Sequence, residues 1–302
     1  MLTIVSNKIL LGVMKKLGLL ALVLPLTACA APAESAADGL TIVASTQVWA
    51  DVAEAVVEDA DIHAIVQGDE DPHSFEPSAA DMARVETADI ILVGGGGYDS
   101  WLYDSLEDDD RIISAMDLEP HDHSDHDHDH DHDHDHDSDN EHIWYSPEAV
   151  THVAEDLAGK VTETSPDTRV SPDAVVTQMA DLAARIADLP AARVAQTEPI
   201  ADHLLAHSAM IESTPAGYRA TTLSEGEPTA ADVAAFHEAI RNGEIDILIH
   251  NPQSAASVST GIRELAEQEG IPVVEIAETP EPGTNFLEAF KKAVADLEQA
   301  GQ

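Results

Sequence analysis

The 302-residue chain has a single cysteine, 14 basic residues against 58 acidic ones, and an aromatic content of only 4%. One cysteine excludes an internal disulfide and any dithiol redox cycle. The shortage of lysine and arginine leaves a formal net charge of −44. Such a surface repels nucleic acid and anionic headgroups and draws cations toward it. Twelve of the acids lie between Asp117 and Glu141, so the acidity is global and not confined to that stretch. No His-Glu-x-x-His string occurs, which argues against a zinc hydrolase of that type. The glycine run 94–97 lacks a following Gly-Lys-Ser/Thr, so it reads as a turn or a close helix–strand contact, not a phosphate loop. The apolar run 17–26 is too short to span a membrane.

That run has another meaning. Lys15 and Lys16 precede it, and Leu26-Thr27-Ala28-Cys29 closes it. A charged start, a short apolar stretch and small residues at the cut describe a secretory signal. The last four residues look like a bacterial lipobox, in which Cys29 is lipidated and anchors the chain to the outer face of a membrane. Residues 1–28 are then the signal peptide and the Ala/Pro/Ser-rich residues 29–39 a tether.

Residues 121–136 read HDHSDHDHDHDHDHDH. A tract this polar cannot bury enough apolar surface to fold, so a loop over 119–140 is expected. Its histidines, His121, His123, His126, His128, His130, His132, His134 and His136, interleave with acids and suit weak accessory capture of divalent metal.

Around the tract the sequence alternates between short apolar runs and amphipathic stretches. Strands are expected at 40–45, 62–66, 90–93 and 111–114, with helices between them. Pro147 opens a helix, and Pro172 opens a longer one to about Leu189 with Val175, Met179, Leu182 and Ile186 on one face. Strands then recur at 193–197, 218–223, 245–250 and 272–276, with helices at 199–210, 230–242, 254–268 and from Asn285. The fold class is α/β, with two lobes, each a parallel sheet flanked by helices, joined by a long rigid linker helix. The lobes are 40–146 and 191–302, with the helical region 147–190 between them. A ligand belongs in the cleft where strand C-termini meet.

Metal-capable side chains stand at those ends: His73 in the loop 69–77, His142 beyond the tract, Glu198 after one strand and Glu278 after the last. Each has an ordinary alternative. A histidine after Asp71-Pro72 suits a turn, and Glu198 suits a helix N-terminus. The strings Asp71-Pro72-His73-Ser74-Phe75-Glu76-Pro77 and Glu141-His142-Ile143-Trp144-Tyr145-Ser146-Pro147 resemble the first- and second-ligand motifs of the cluster A solute-binding proteins of bacterial zinc and manganese ABC importers. The resemblance runs from Thr41 to the C-terminus and includes Asn251-Pro252-Gln253. It implies His73, His142, Glu198 and Glu278 as ligands of one cation, with Glu275 as competitor for the fourth place. His203, where relatives carry a tyrosine, pairs with His207 four residues on as an accessory candidate. His63, His152, His237 and His250 have no such context and are expected to be structural.

The resemblance implies a binding protein and not an enzyme. Zn2+ is the expected cargo, Mn2+ the less favoured one, and no organic cofactor is expected. The partners it implies are an ABC permease with its ATPase and the membrane through the lipid anchor; a monomer is expected. An extracellular zinc metallohydrolase, and a cell-adhesion protein or metal buffer without a transporter, are the rival readings.

Overall fold

The computed structural model describes residues 39–68, 75–104, 106, 109–118, 140–253 and 257–302. His73, Cys29, the signal and the histidine tract lie outside these residues.

Apolar runs rich in Val and Ile form the N-terminal sheet from β1 (Thr41–Thr46), β2 (Asp61–Val66), β3 (Ile90–Val93) and β4 (Ile112–Ser114). The C-terminal sheet is β5 (Arg193–Gln196), β6 (Ile211–Glu212), β7 (Ile247–His250) and β8 (Val273–Glu275). Every pairing is parallel, and the orders β2-β1-β3-β4 and β6-β5-β7-β8 repeat one topology.

Helices α1 (Gln47–Val56), α2 (Ala79–Thr87) and α3 (Ser100–Tyr103) belong to the first half. After a short 3-10 turn, Ile143–Tyr145, come α4 (Pro147–Thr164) and α5 (Asp173–Ala187). The second half holds α6 (Asp202–Leu205), α7 (Ala216–Leu223), α8 (Ala230–Arg241), α9 (Ser257–Gln268) and α10 (Phe286–Ala300). Local chemistry sets several starts. Ser78 with Asp81 and Thr229 with Asp232 form capping boxes, and Ser146 caps α4 ahead of Pro147. Among the described residues no helix is long and apolar enough to cross a membrane.

Alternation along the strands divides the core. Ile42, Ala44, Ile90 and Leu92 face inward with Val194, Ile247, Ile249 and Val274, and one continuous cluster joins them through α1, α4, α5 and α10. The odd neighbours Val43, Ile91 and Val93 pack outward under α2 and α3. Ala195 and Leu248 do the same against Phe236 of α8 and Ile262 of α9. The two sheets therefore share their largest core.

Four segments depart from the sequence reading. Residues 218–223, read as a strand, are part of α7. The edge strand is instead β6, two residues long. The helix at 199–210 shortens to Asp202–Leu205. Two helices connect the sheets, and α4 is the longer, not the one after Pro172.

Candidate metal centre

Parallel strands deliver their C-terminal loops to one edge of each sheet. From β5 the chain runs through Thr197 to Glu198; from β7, directly to Asn251; from β8, to Glu278. From β3 it enters the glycine turn. Gly95, Gly96 and Gly97 adopt φ of +80, +63 and +102, a region that favours glycine. Gly94 N and Gly95 N donate to the buried Asp99 carboxylate at 2.6 and 3.0 Å. The run thus wraps the Asp99 carboxyl and places the adjacent Tyr98 within reach of Glu278.

His142, Glu198 and Glu278 each offer a ligand atom within 4.8 Å of the others. His142 Nε2 lies 3.4 Å from Glu198 Oε1. The imidazole is 4% exposed, as is Glu278. On the far side of the ring, Nδ1 meets Asn140 Oδ1 at 2.8 Å, and that same oxygen accepts from His142 N at 2.9 Å. With Nδ1 turned to Asn140, Nε2 is the ring nitrogen that faces Glu198. Tyr98 and Trp144 flank the ring, with centroids 6.1 and 5.2 Å away.

The two carboxylates meet neutral donors. Asn251 Nδ2 donates to Glu198 Oε2 at 2.7 Å and to Glu278 Oε1 at 2.8 Å. Tyr98 donates its hydroxyl to Glu278 Oε2 at 2.9 Å. Burial, then the Glu278 charge, pushes the Tyr98 phenol well above its ordinary value, so it stays a donor. For His142 burial pulls the pKa down, but the carboxylates of Glu198, Glu278 and Glu141 outweigh it and the net shift is upward. A buried imidazole, a buried acid and a half-buried one, met by uncharged donors, have the chemistry of a divalent-cation site.

Behind the cluster, Gln253 Oε1 accepts from Glu278 N at 2.8 Å and Thr279 N at 3.0 Å, fixing the last loop. Asn140 Nδ2 reaches Pro199 O and Asp202 Oδ2, which ties the His142 segment to the turn after Glu198.

Of the four expected ligands, three converge, and His73 lies outside the described residues. Glu275 is exposed, with Arg263 Nη1 3.7 Å away. His203 and His207 do not share a helix: His203 Nε2 meets Asn140 O at 2.6 Å and His207 is exposed beyond α6. His250, with no role from sequence, is buried with Nδ1 3.3 Å from Thr197 Oγ1. Sequence reasoning gave no role to Tyr98, Asn140 or Asn251. Tyr98 and Asn251 do follow strands β3 and β7, and that position was a usable signal.

A family model described as zinc-uptake complex component A, periplasmic, matches residues 42–300. The manganese ABC transporter substrate-binding lipoprotein PsaA of Streptococcus mitis is 38% identical over 89 residues, 27% of this chain and 29% of that protein. The metal ABC transporter substrate-binding lipoprotein SsaB of Streptococcus sanguinis is 26% identical over 169 residues, 52% of this chain and 54% of its own length. The chain therefore matches less than two thirds of these curated relatives. A zinc-bound ZnuA deletion mutant superposes with a TM-score of 0.61 at 16% identity, covering 87% of this chain and 97% of that one. TroA gives 0.63 at 13% identity, covering 87% and 100%. At these identities the likeness is one of fold.

Proposed function

The chain belongs to the zinc-uptake complex component A family, and on that premise we propose that it is the extracytoplasmic solute-binding subunit of an ABC importer for a divalent metal. It captures the ion between its two halves and delivers it to a membrane permease driven by an ATPase. The relatives' description as lipoproteins supports Cys29 as the anchor, with residues 1–28 as signal, 29–39 as tether, and 40–146 and 191–302 as the two binding lobes. The observation that carries the reading is the convergence of buried His142 and Glu278 with half-buried Glu198. His73, from the loop after β2, is the fourth ligand of this proposal.

Zinc is the cargo we favour. Imidazole with carboxylates suits its tetrahedral preference, and the composition of the histidine-rich tract suits weak zinc capture. Relatives named for manganese make that ion the alternative. The test is metal content of chain purified without affinity resin, followed by competition between Zn2+ and Mn2+ in titration calorimetry. One tight equivalent that survives deletion of residues 121–136, with the weak equivalents lost, is the expected result. Loss of the tight equivalent on that deletion overturns the division of labour, and absence of any tight equivalent overturns the assignment.

A further inference from the structure

Asn251 is fully buried immediately beyond β7. Its amide is engaged at both ends. Nδ2 spans Glu198 Oε2 and Glu278 Oε1, while Oδ1 accepts from Gln253 N at 3.0 Å. Its own backbone N–H donates to Thr197 Oγ1 at 3.2 Å. Rotating the amide would break three of these contacts at once, so the direction of its NH2 group is fixed.

A carboxylate chelates a cation through two oxygens only if both face that cation. Here Asn251 holds one oxygen of each acid, and Tyr98 donates to the other oxygen of Glu278. A lysine or arginine in the same place would neutralise the pair; an amide and a phenol hold the oxygens yet leave both negative charges for the cation. Zinc is content with four ligand atoms, whereas manganese prefers a six-coordinate, oxygen-rich shell.

We propose that Asn251, assisted by Tyr98, is the specificity-determining residue of this site: it holds one oxygen of Glu198 away from the cation and, with Tyr98, pins the Glu278 carboxylate through both oxygens so that it cannot turn to chelate, keeps the coordination number low, and so favours zinc over manganese. The inference rests on the importer reading and names what tunes its cargo. Neither residue is itself a ligand.

The experiment uses the full chain without an affinity tag, unaltered and as Asn251→Ala and Tyr98→Phe. Zn2+/Mn2+ competition gives the preference ratio. X-ray absorption at zinc and electron paramagnetic resonance of Mn2+ give the coordination shell. Asn251→Ala is expected to narrow the zinc-over-manganese ratio by about tenfold, with added oxygen ligands at the metal. Tyr98→Phe, which retains the amide, should move both readouts the same way by less. A role in folding alone would weaken both metals by one factor and leave the ratio still. An unchanged ratio and shell in either variant therefore overturns the proposal, and if Asn251→Ala does not fold, Tyr98→Phe decides alone. If the unaltered chain binds neither metal, the importer reading falls and this inference with it. If it binds and the variants keep its preference, only this inference falls.

Discussion

Glu275 and Glu278 stand three residues apart and occupy different worlds. Glu275 is exposed beside Arg263; Glu278 is buried with an amide, a phenol and an imidazole around it. Removing the charge of Glu278 removes a donor of the proposed site, whereas the exposed Glu275 is screened by water. Glu278→Gln is expected to weaken zinc binding by about a hundredfold or more, and Glu275→Gln to leave it unchanged, both read by titration calorimetry. Equal losses in the two variants would mean that Glu278 is not a ligand. The three side chains that converge, His142, Glu198 and Glu278, were singled out in the sequence because few residue types suit metal binding, because Glu198 and Glu278 follow strands and because His142 stands in a motif string. Asn251 stood in the Asn251-Pro252-Gln253 string without a role attached, and Asn140 and Tyr98 were not legible in the same way. Amides and phenols serve countless structural hydrogen bonds, and only the folded geometry shows that theirs end on His142, Glu198 and Glu278.

At the level of the element, the glycine turn after β3 and the middle of α4 make opposite demands on the same residue type. A Cβ on Gly95 would sit 2.5 Å from Met116 O, at a φ of +80. Gly95→Ala should destabilise the chain by about 3 kcal/mol and displace Tyr98 with it. Gly159 lies inside α4 with nothing within 4 Å of a built Cβ, so Gly159→Ala should stabilise by roughly 0.5–1 kcal/mol. Urea titration of both variants checks the two signs. Helix α5 is tied to α10 by Arg185, whose guanidinium meets both oxygens of Glu298 at 2.8 and 2.9 Å. That partner lowers the Glu298 pKa. The contribution is complete above the unfolded carboxylate range and is lost as pH falls through the lowered value. Arg185→Met should therefore cost under about 1 kcal/mol at neutral pH, since the pair is half-exposed, and nothing once Glu298 is protonated. Long periodic elements such as α5 were readable because burial repeats along them. Residues 218–223 misled because Thr221 and Thr222 suggest a strand, whereas in α7 their hydroxyls bond back to Gly217 O and Tyr218 O. Strand β6 offered two residues, too few for any period.

For the whole molecule, the decisive feature is that the inner faces of both sheets and the four helices between them form one apolar cluster. Halves with private cores would melt separately, while a shared core makes each half's stability depend on the other. Phe290 of α10 is fully buried there, with Tyr145 packed edge-on at 5.2 Å. Phe290→Ala removes a ring whose neighbours come from both halves and should cost about 3–5 kcal/mol. In a shared core that loss lowers one unfolding transition as a whole; in separate cores it would split the melt and leave the N-terminal half at its original temperature. Differential scanning calorimetry of the metal-free chain is expected to give a single peak whose calorimetric and van't Hoff enthalpies agree, before and after the substitution. The same core restrains movement of one half against the other. Opening the cleft widely would expose the interior apolar surface of α1, α5 and α10, at roughly 25 cal/mol per Å2. Metal capture should then proceed by adjustment of the loops at the strand ends, and small-angle scattering should show no resolvable contraction when zinc is added. Two melting transitions, or a large change in radius on metal addition, would show that the halves move as independent bodies.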